Sequence, residues 1–342
     1  TVSSDSTSLY LLMLILIIVA LALSISLQFW EWWKKHQPQI NELFNLAFSF
    51  YIAFRLLSYG LDKVFKSQFY LPEPNLLYTP LGQLSKDILY WSTIGSSYSY
   101  NIVVGGFECL AALLLIFKKN RPLGLVIAFI AFGQIVLINF SFDISVKVLS
   151  LFLLGLTLYL LTPVIVRLYR LWTNGIQTQT GHRPGISRTV KTILITFFVG
   201  LMGIELVYQQ SYQDGLNDDL AKRPYLHGAY QLQAPAALPL LLHNQNPVKR
   251  FFVHRRGFLI FQHTDDQLQD FGLRVDSAQN KLWITNYYGA TIPINYNYNQ
   301  QDSLLILEIN KTDSSDTITG KAIDWKKLPL MQNDFHWTVD GI

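Results

Sequence analysis

The feature that most constrains this chain is a series of six long apolar runs within its first 210 residues. A helix needs about 20 mostly apolar residues to cross the hydrocarbon core of a bilayer. Within lipid every backbone polar group has to be bonded internally, which favours helices. We therefore predict six transmembrane helices, the first of them retained because it lacks a basic leader and a cleavage site. The runs are Leu9–Phe29, Ile40–Tyr59, Tyr98–Phe117, Leu123–Phe142, Val146–Val166 and Thr192–Tyr208.

Lysine and arginine are unevenly distributed between the connections of these runs. The connections after the first, third and fifth runs carry ten of them, whereas the alternate connections carry four. Basic loops remain in the cytoplasm, so we predict that the N-terminus and the chain after Tyr208 lie outside. The ten are Lys34, Lys35, Lys118, Lys119, Arg121, Arg167, Arg170, Arg183, Arg188 and Lys191, and the four are Lys63, Lys66, Lys86 and Lys147.

Beyond residue 210 the long apolar runs give way to eight short stretches rich in β-branched and aromatic residues. Their spacing of roughly ten residues, with no helix between them, predicts an antiparallel sandwich or a small barrel. The opening Gly228-Ala229-Tyr230 is lipocalin-like, and we favour a filled core over a ligand cavity. The polar, Pro-rich segment 63–97 is expected to form short helices on the outer surface. The stretches are GAYQLQ, KRFFVH, GFLIFQ, DFGLRVD, KLWITN, TIPINYN, SLLILEI and DTITGKAI.

Charge and cysteine content exclude several classes of function. Residues 1–210 carry a net charge of +6 and residues 211–342 one of −2, a split that fits basic membrane loops and opposes a nucleic-acid partner. With Cys109 as the single cysteine, intrachain disulfides and thiolate zinc clusters are excluded. His254 and His263 lack a third ligand for a metal. We expect no metal and no cofactor, and favour a protein that is not an enzyme, although that question stays open.

Ionisable and amide side chains within the apolar runs are the candidate functional residues. Glu108 lies near the middle of its run, where a charge costs roughly 2.5–3.5 kcal/mol. Three interpretations stay open: structural pairs such as Arg55 with Glu108 or Asp143 with Lys147, a proton or substrate pathway, and a binding site for a quinone, a lipid or a partner helix. A polar vestibule that opens to the outside would suit the pathway and the binding-site interpretations. The candidates are Arg55, Lys63, Glu108, Gln134, Asn139, Asp143, Lys147 and Glu205.

Four stretches resemble the DoxX family, in its longer variant from Bacteroidetes-type bacteria. FRLLSYGLDKVF, with Arg55, Gly60 and Lys63, is similar to the family's "R, then G, then K" opening, and GGFECLAALLLIFKKNRPLG to its next helix. INFSFDISVKVLS resembles the N-F-x-x-D-x-x-V-K element, and LPLMQNDFHW the terminal F-H-W element that follows an outer β domain. The resemblance implies a four-helix bundle from runs two to five. It also implies links to thiosulfate:quinone oxidoreduction and to envelope complexes. The shared polar set would be Arg55, Lys63, Glu108, Asn139, Asp143 and Lys147.

These observations predict a bacterial inner-membrane protein that serves as a non-catalytic or accessory subunit of an envelope complex. Its partners would be the lipid bilayer and other membrane or periplasmic proteins, with a quinone or a lipid as the alternative ligand. The competing functions are a quinone-linked oxidoreductase subunit and a lipid or small-ligand carrier built on the β domain. The expected segments are a helix and loop (1–38), the DoxX-like bundle (39–166), a basic loop with the sixth helix (167–210) and a periplasmic β domain (211–342).

Overall fold

The computed structural model describes residues 5–174, 187–212, 217–238, 241–242, 246–311 and 314–332. The chain forms two compact units. The first combines Thr1–Phe69 with Tyr98–Asp218, and the second combines Tyr70–Ser97 with Asp219–Ile342. Arg183, the F-H-W element at 335–337 and the side chain of Glu205 lie outside the described residues.

Eight α-helices form in the described part of the chain. They are α1 (Thr7–Leu27), α2 (Glu31–Val64), α3 (Pro74–Leu77), α4 (Lys86–Ser96), α5 (Tyr98–Ile116), α6 (Arg121–Ser141), α7 (Lys147–Asn174) and α8 (Arg188–Tyr212). Among the described residues, α1, α2, α5, α6 and α7 are long and apolar enough to cross a membrane. Since α8 is not in that set, the sixth transmembrane helix stays a prediction. The expected short helices between the second and third runs are confirmed as α3 and α4.

The first unit is a bundle in which consecutive long helices pack on one another. Contacts join α2 to α5, α5 to α6 and α6 to α7, and α2 also contacts α7 and α8. Helix α1 buries none of its residues and is apolar on all sides, as expected of a helix that faces lipid. The bundle core includes Ile52, Ala53, Leu56, Ala111, Ala112, Leu115, Phe132 and Leu153.

The second unit contains a closed, antiparallel, eight-stranded β-barrel. Its strands are β1 (Gly228–Ala236), β2 (Val248–His254), β3 (Phe258–His263), β4 (Leu268–Asp276), β5 (Lys281–Thr285), β6 (Thr291–Asn299), β7 (Leu304–Lys311) and β8 (Ser314–Ile323). Each strand pairs with its neighbours in sequence, and β1 closes the ring on β8 from Ala229 opposite Ile323 to Leu232 opposite Gly320. Closure decides between the two predicted architectures in favour of the barrel, and it removes the exposed strand edges of an open sandwich.

Aromatic and aliphatic side chains fill the barrel interior. The rings of Tyr230 and Phe251 stack with centroids 5.0 Å apart, and Phe261 meets Phe271 edge to face at 5.9 Å. Gly320 on β8 makes room for this cluster, because a Cβ there would lie 2.5 Å from the Phe251 ring. Any residue larger than glycine at position 320 would therefore have to displace the Phe251 ring.

Residues 70–97 pack against the outer face of this barrel, although the sequence places them between two apolar runs. Tyr78 stacks on Phe252 of β2 at 6.1 Å, and the amide nitrogen of Gln262 on β3 donates to the Tyr78 carbonyl at 2.8 Å. The guanidinium of Arg250 lies 4.8 Å from the centre of the Tyr78 ring. The segment is thus part of the barrel unit, a grouping that residue patterning did not indicate.

Candidate functional site

The buried acid at the centre of α5 forms an ion pair with α2. The Lys63 ammonium donates to both carboxylate oxygens of Glu108, at 3.0 Å to Oε1 and 2.8 Å to Oε2. Both side chains are almost completely buried, with exposed fractions of 8% and 3%. Lys63 also lies 3.4 Å from the carbonyl of Tyr59, one turn earlier on α2. Glu108 therefore meets Lys63, and not Arg55, the partner that we had considered from sequence.

Two glycines bring the backbones of α2 and α5 close enough for this pair to form. A Cβ on Gly60 would lie 2.7 Å from the Gly105 carbonyl oxygen and 2.6 Å from the Cys109 sulfur. Residues three apart share a helix face, so Gly60 and Lys63 present one side of α2 to the corresponding pair on α5. The ion pair and the glycine contact consequently form one polar clasp, defined as Gly60, Lys63, Gly105 and Glu108.

A buried ion pair of this kind fixes register more than it adds stability. Removing two charges from water costs several kcal/mol per ion, and their mutual attraction repays this only with good geometry. If one partner is removed, the remaining buried charge destabilises by about 3–5 kcal/mol. The clasp therefore penalises any sliding or rotation of α2 against α5 that would separate Lys63 from Glu108.

A second polar group lies at the start of α7. The Lys147 ammonium is 2.8 Å from the Asp143 carboxylate, as the spacing of four residues suggested. The carboxylate of Asp5 accepts the backbone N–H groups of Val146 at 2.9 Å and Lys147 at 3.0 Å. Asp5 thus caps the N-terminus of α7, where an anion is favoured. We did not predict Asp5 from sequence, because its partners are more than 140 residues away.

The remaining predicted residues lie outside the two ion pairs, but Arg55 adjoins the clasp through Tyr59, whose ring centre is 5.6 Å from the Lys63 ammonium. Arg55 donates to the Tyr59 hydroxyl at 2.8 Å, while its Nε is buried without an acceptor in the described residues. Gln134 is exposed and donates to the Tyr100 hydroxyl at 3.3 Å. Asn139 is buried on α6. The described contacts therefore link Arg55 to Lys63 through Tyr59, and the vestibule stays a prediction.

A buried charged cluster in the barrel unit was not predicted from sequence. Glu73, just before α3, lies 2.9 Å through Oε2 from the Nε2 of His227 and 3.5 Å through Oε1 from the Nε of Arg255. The Arg255 guanidinium sits 3.8 Å from the centre of the Tyr70 ring, a cation–π contact. This cluster joins Glu73 to residues that flank strands β1 and β2, and Tyr78 adds a ring contact to β2.

The apolar helices and the attached eight-stranded barrel define a multi-pass membrane protein with a β-barrel domain. No family model matches the chain, and no solved structure matches it. A protein of Bacillus subtilis (strain 168) named Uncharacterized protein YwoB is 36% identical over 124 residues, which cover 34% of this chain and 73% of that relative. The chain belongs to the same family as YwoB. The comparisons leave the resemblance to DoxX proteins untested, so it stays a prediction.

Proposed function

We propose that this protein is a non-catalytic subunit of a bacterial inner-membrane complex, which holds a periplasmic β-barrel beside its partners. The observation that carries the proposal is the polar clasp. Both carboxylate oxygens of Glu108 are occupied by the Lys63 ammonium, so the central membrane acid serves to join two helices. A proton or electron-transfer role would need this acid to reach a substrate or a relay instead.

A six-span topology around a DoxX-like bundle forms part of this proposal. Residues 70–97 and 219–342 belong to one compact unit, so both must lie on the same side of the membrane. The chain between them then has to cross an even number of times. Helices α5, α6 and α7 account for three crossings, and α8 supplies the fourth. With α1 and α2 the proposed total is six, and the excess of lysine and arginine in alternate connections supports a periplasmic barrel.

Two contacts within the helical unit fit the same topology. Asp5 contacts the amide of Val146, and four proposed spans separate these residues, so both lie on one side. Lys191 pairs with Glu42 at 2.6 Å, and four proposed spans also separate them. The first contact is then on the periplasmic side and the second on the cytoplasmic side.

The features of the barrel favour a role in binding a partner protein over a role in carrying a ligand. Its interior is occupied by packed aromatic and aliphatic side chains, which favours a structural core. At the turn between β5 and β6, Tyr287 and Tyr288 are exposed at 99% and 88%. Tyrosine is enriched among the residues that contribute most to protein–protein binding. We assign this tyrosine tip, Tyr287 with Tyr288, as the principal partner contact.

Purification from native membranes in mild detergent tests the proposal. The full chain is expected to co-purify with stoichiometric partner proteins, and the double substitution of Tyr287→Ala and Tyr288→Ala should reduce their recovery by about tenfold or more. A matched control replaces Gln300 and Gln301, at the exposed turn after β6, with alanine and should leave recovery unchanged. A strictly monomeric particle would overturn the proposal.

A variant in which the clasp carries no charges distinguishes the proposed accessory subunit from a quinone-linked oxidoreductase. Lys63→Met combined with Glu108→Leu keeps similar volumes while removing both charges. An accessory subunit with this double change should still assemble with its partners. Quinone-dependent turnover in the wild-type complex that disappears in the double variant, with assembly intact, would instead favour the enzyme.

A further inference from the structure

A cavity of about 430 Å³ opens in the helical unit where α5 turns into α6. Helix α2 contributes Asn45 and Ser49 to its lining, and the turn contributes Lys118 and Arg121. Apolar side chains such as Leu125 complete the wall. A volume of this order falls within the range of small-molecule sites, and its lining combines a cationic part with a larger apolar part.

Two cations, Lys118 and Arg121, line this cavity. None of the described lining residues is Asp or Glu. The nearest acid along α2 is Glu42, one turn before Asn45, and it is engaged by Lys191 at 2.6 Å. The Nε of Arg121 donates to the Leu115 carbonyl at 3.1 Å, which holds the guanidinium beside the cavity. Arg121 is also the first residue of α6, where the helix dipole favours an anion.

Helix length places the cavity at the level of the lipid headgroups. Helices α5 and α6 have 19 and 21 residues, which at about 1.5 Å per residue span roughly 28–32 Å. The hydrocarbon core is about 30 Å thick. The turn between these helices therefore lies at a membrane surface, where phospholipid phosphates are concentrated.

We propose that this cavity binds the headgroup of an anionic phospholipid. Lys118 and Arg121 contact the phosphate, while Asn45 and Ser49 bind polar atoms of the headgroup and glycerol. The apolar wall around Leu125 takes the first carbons of an acyl chain. Basic pockets between transmembrane helices bind anionic headgroups in this way. A free phosphate ion would satisfy the cations but would leave the apolar wall in contact with water, so the proposal commits to a lipid.

Native mass spectrometry of the full chain, delipidated in detergent and supplied with defined lipids, tests the site. Dioleoyl phosphatidylglycerol should be retained in preference to dioleoyl phosphatidylcholine, whose choline is repelled by the two cations. Lys118→Gln should weaken retention of phosphatidylglycerol by about fivefold, and Arg121→Gln by at least as much. Lys119→Gln is the matched control, because this neighbouring lysine is outside the lining, and it should leave retention unchanged.

Each arm of the experiment has a result that overturns the proposal. Equal retention of the two lipids, or equal losses for Lys118→Gln and Lys119→Gln, would show that no specific headgroup site exists. Displacement of the lipid by excess inorganic phosphate alone would point to a free-anion site. Since Arg121 also bonds the Leu115 carbonyl, its variant could unfold locally. Lys118 lines the cavity and makes no side-chain hydrogen bond or ion pair with the described residues, so Lys118→Gln keeps the test decisive.

Discussion

Gly60 and Gly105 meet backbone to backbone: a Cβ added to Gly60 would lie 2.7 Å from the carbonyl oxygen of Gly105, and one added to Gly105 would lie 2.6 Å from that of Gly60. Small residues at a helix crossing allow this approach within a membrane. Because Gly60 and Gly105 have no Cβ atoms, α2 and α5 can approach to this distance.

Gly60→Ala should separate these helices and destabilise the bundle by about 1–3 kcal/mol, because the new methyl group overlaps backbone atoms that cannot rotate away. Unfolding by SDS in mixed micelles, followed by far-ultraviolet circular dichroism, measures the change. Gly106→Ala is the matched control, since a Cβ there meets nothing within 4 Å. Equal effects of the two substitutions would contradict the close crossing.

Single substitutions in the ion pair should be more damaging than the double one. Lys63→Met or Glu108→Leu leaves one buried charge without its partner and should cost about 3–5 kcal/mol. The combination removes both charges and should cost less than either single change. The same SDS titration, arranged as a double-mutant cycle, gives the coupling free energy. Additive losses would show that Lys63 and Glu108 do not interact.

Acid should loosen the attachment of residues 70–97 to the barrel. Burial tends to raise the pKa of the Glu73 carboxyl, but the hydrogen bond and charge of His227, with His254 and Arg255, hold it below its ordinary 4.5. Burial lowers the pKa of His254 below 6.5; the Glu73 carboxylate opposes this lowering, and Arg255 adds to it. In both groups the folded state favours the deprotonated form. The stabilisation is therefore complete above about 6.5 and declines as the pH falls, first through His254 and then, below 4.5, through Glu73.

Hydrogen exchange of peptides from residues 70–97, corrected for the intrinsic pH dependence of exchange, measures this loosening. Protection should fall in two stages as the pH is lowered. Glu73→Gln should remove the lower stage and retain the upper one, which moves to lower pH because the Glu73 charge no longer raises the pKa of His254. Protection that stays constant from neutral pH to well below 4.5 would show that the charged cluster does not hold the segment.

Gly320→Ala should destabilise the barrel, because its new methyl group would lie 2.5 Å from the Phe251 ring. The expected cost is about 1–3 kcal/mol. Phe251→Leu in the same chain should recover part of this loss by vacating space. Gly272→Ala, whose Cβ would have its nearest neighbour at 3.7 Å, is the control. Thermal unfolding followed by near-ultraviolet circular dichroism reports the change, and failure of Phe251→Leu to rescue would contradict the steric explanation.

The helical elements and the eight strands could be predicted because each depends on a local pattern. Apolar runs of spanning length, such as the one from Tyr98, need no distant partner to be recognised. The closure of the barrel could not be predicted in this way. It depends on the register of β1 against β8, which places Ala229 opposite Ile323, and strand pairing over that separation leaves no local signal.

The candidate functional residues also include some that a local sequence pattern predicts and others that it does not. Glu108 was recognisable as a costly membrane charge, and the common three-residue offsets from Gly60 to Lys63 and from Gly105 to Glu108 could have identified its partner. The Glu73 cluster carried no such signal. Glu73 and His227 are 154 residues apart, and only the folding of residues 70–97 onto the barrel brings them together.

That folding has a consequence for biosynthesis. Tyr78 leaves the ribosome long before its partner Gln262, which follows it by 184 residues. During this interval α5 to α8 are synthesised, and the face of residues 70–97 that contacts the barrel has nothing to cover it. A nascent chain therefore has to keep residues 70–97 soluble until β1 to β3 have been synthesised. Premature termination between Ser97 and Gln262 would leave residues 70–97 without this partner, and we expect such a fragment to be a target for chaperones and proteases.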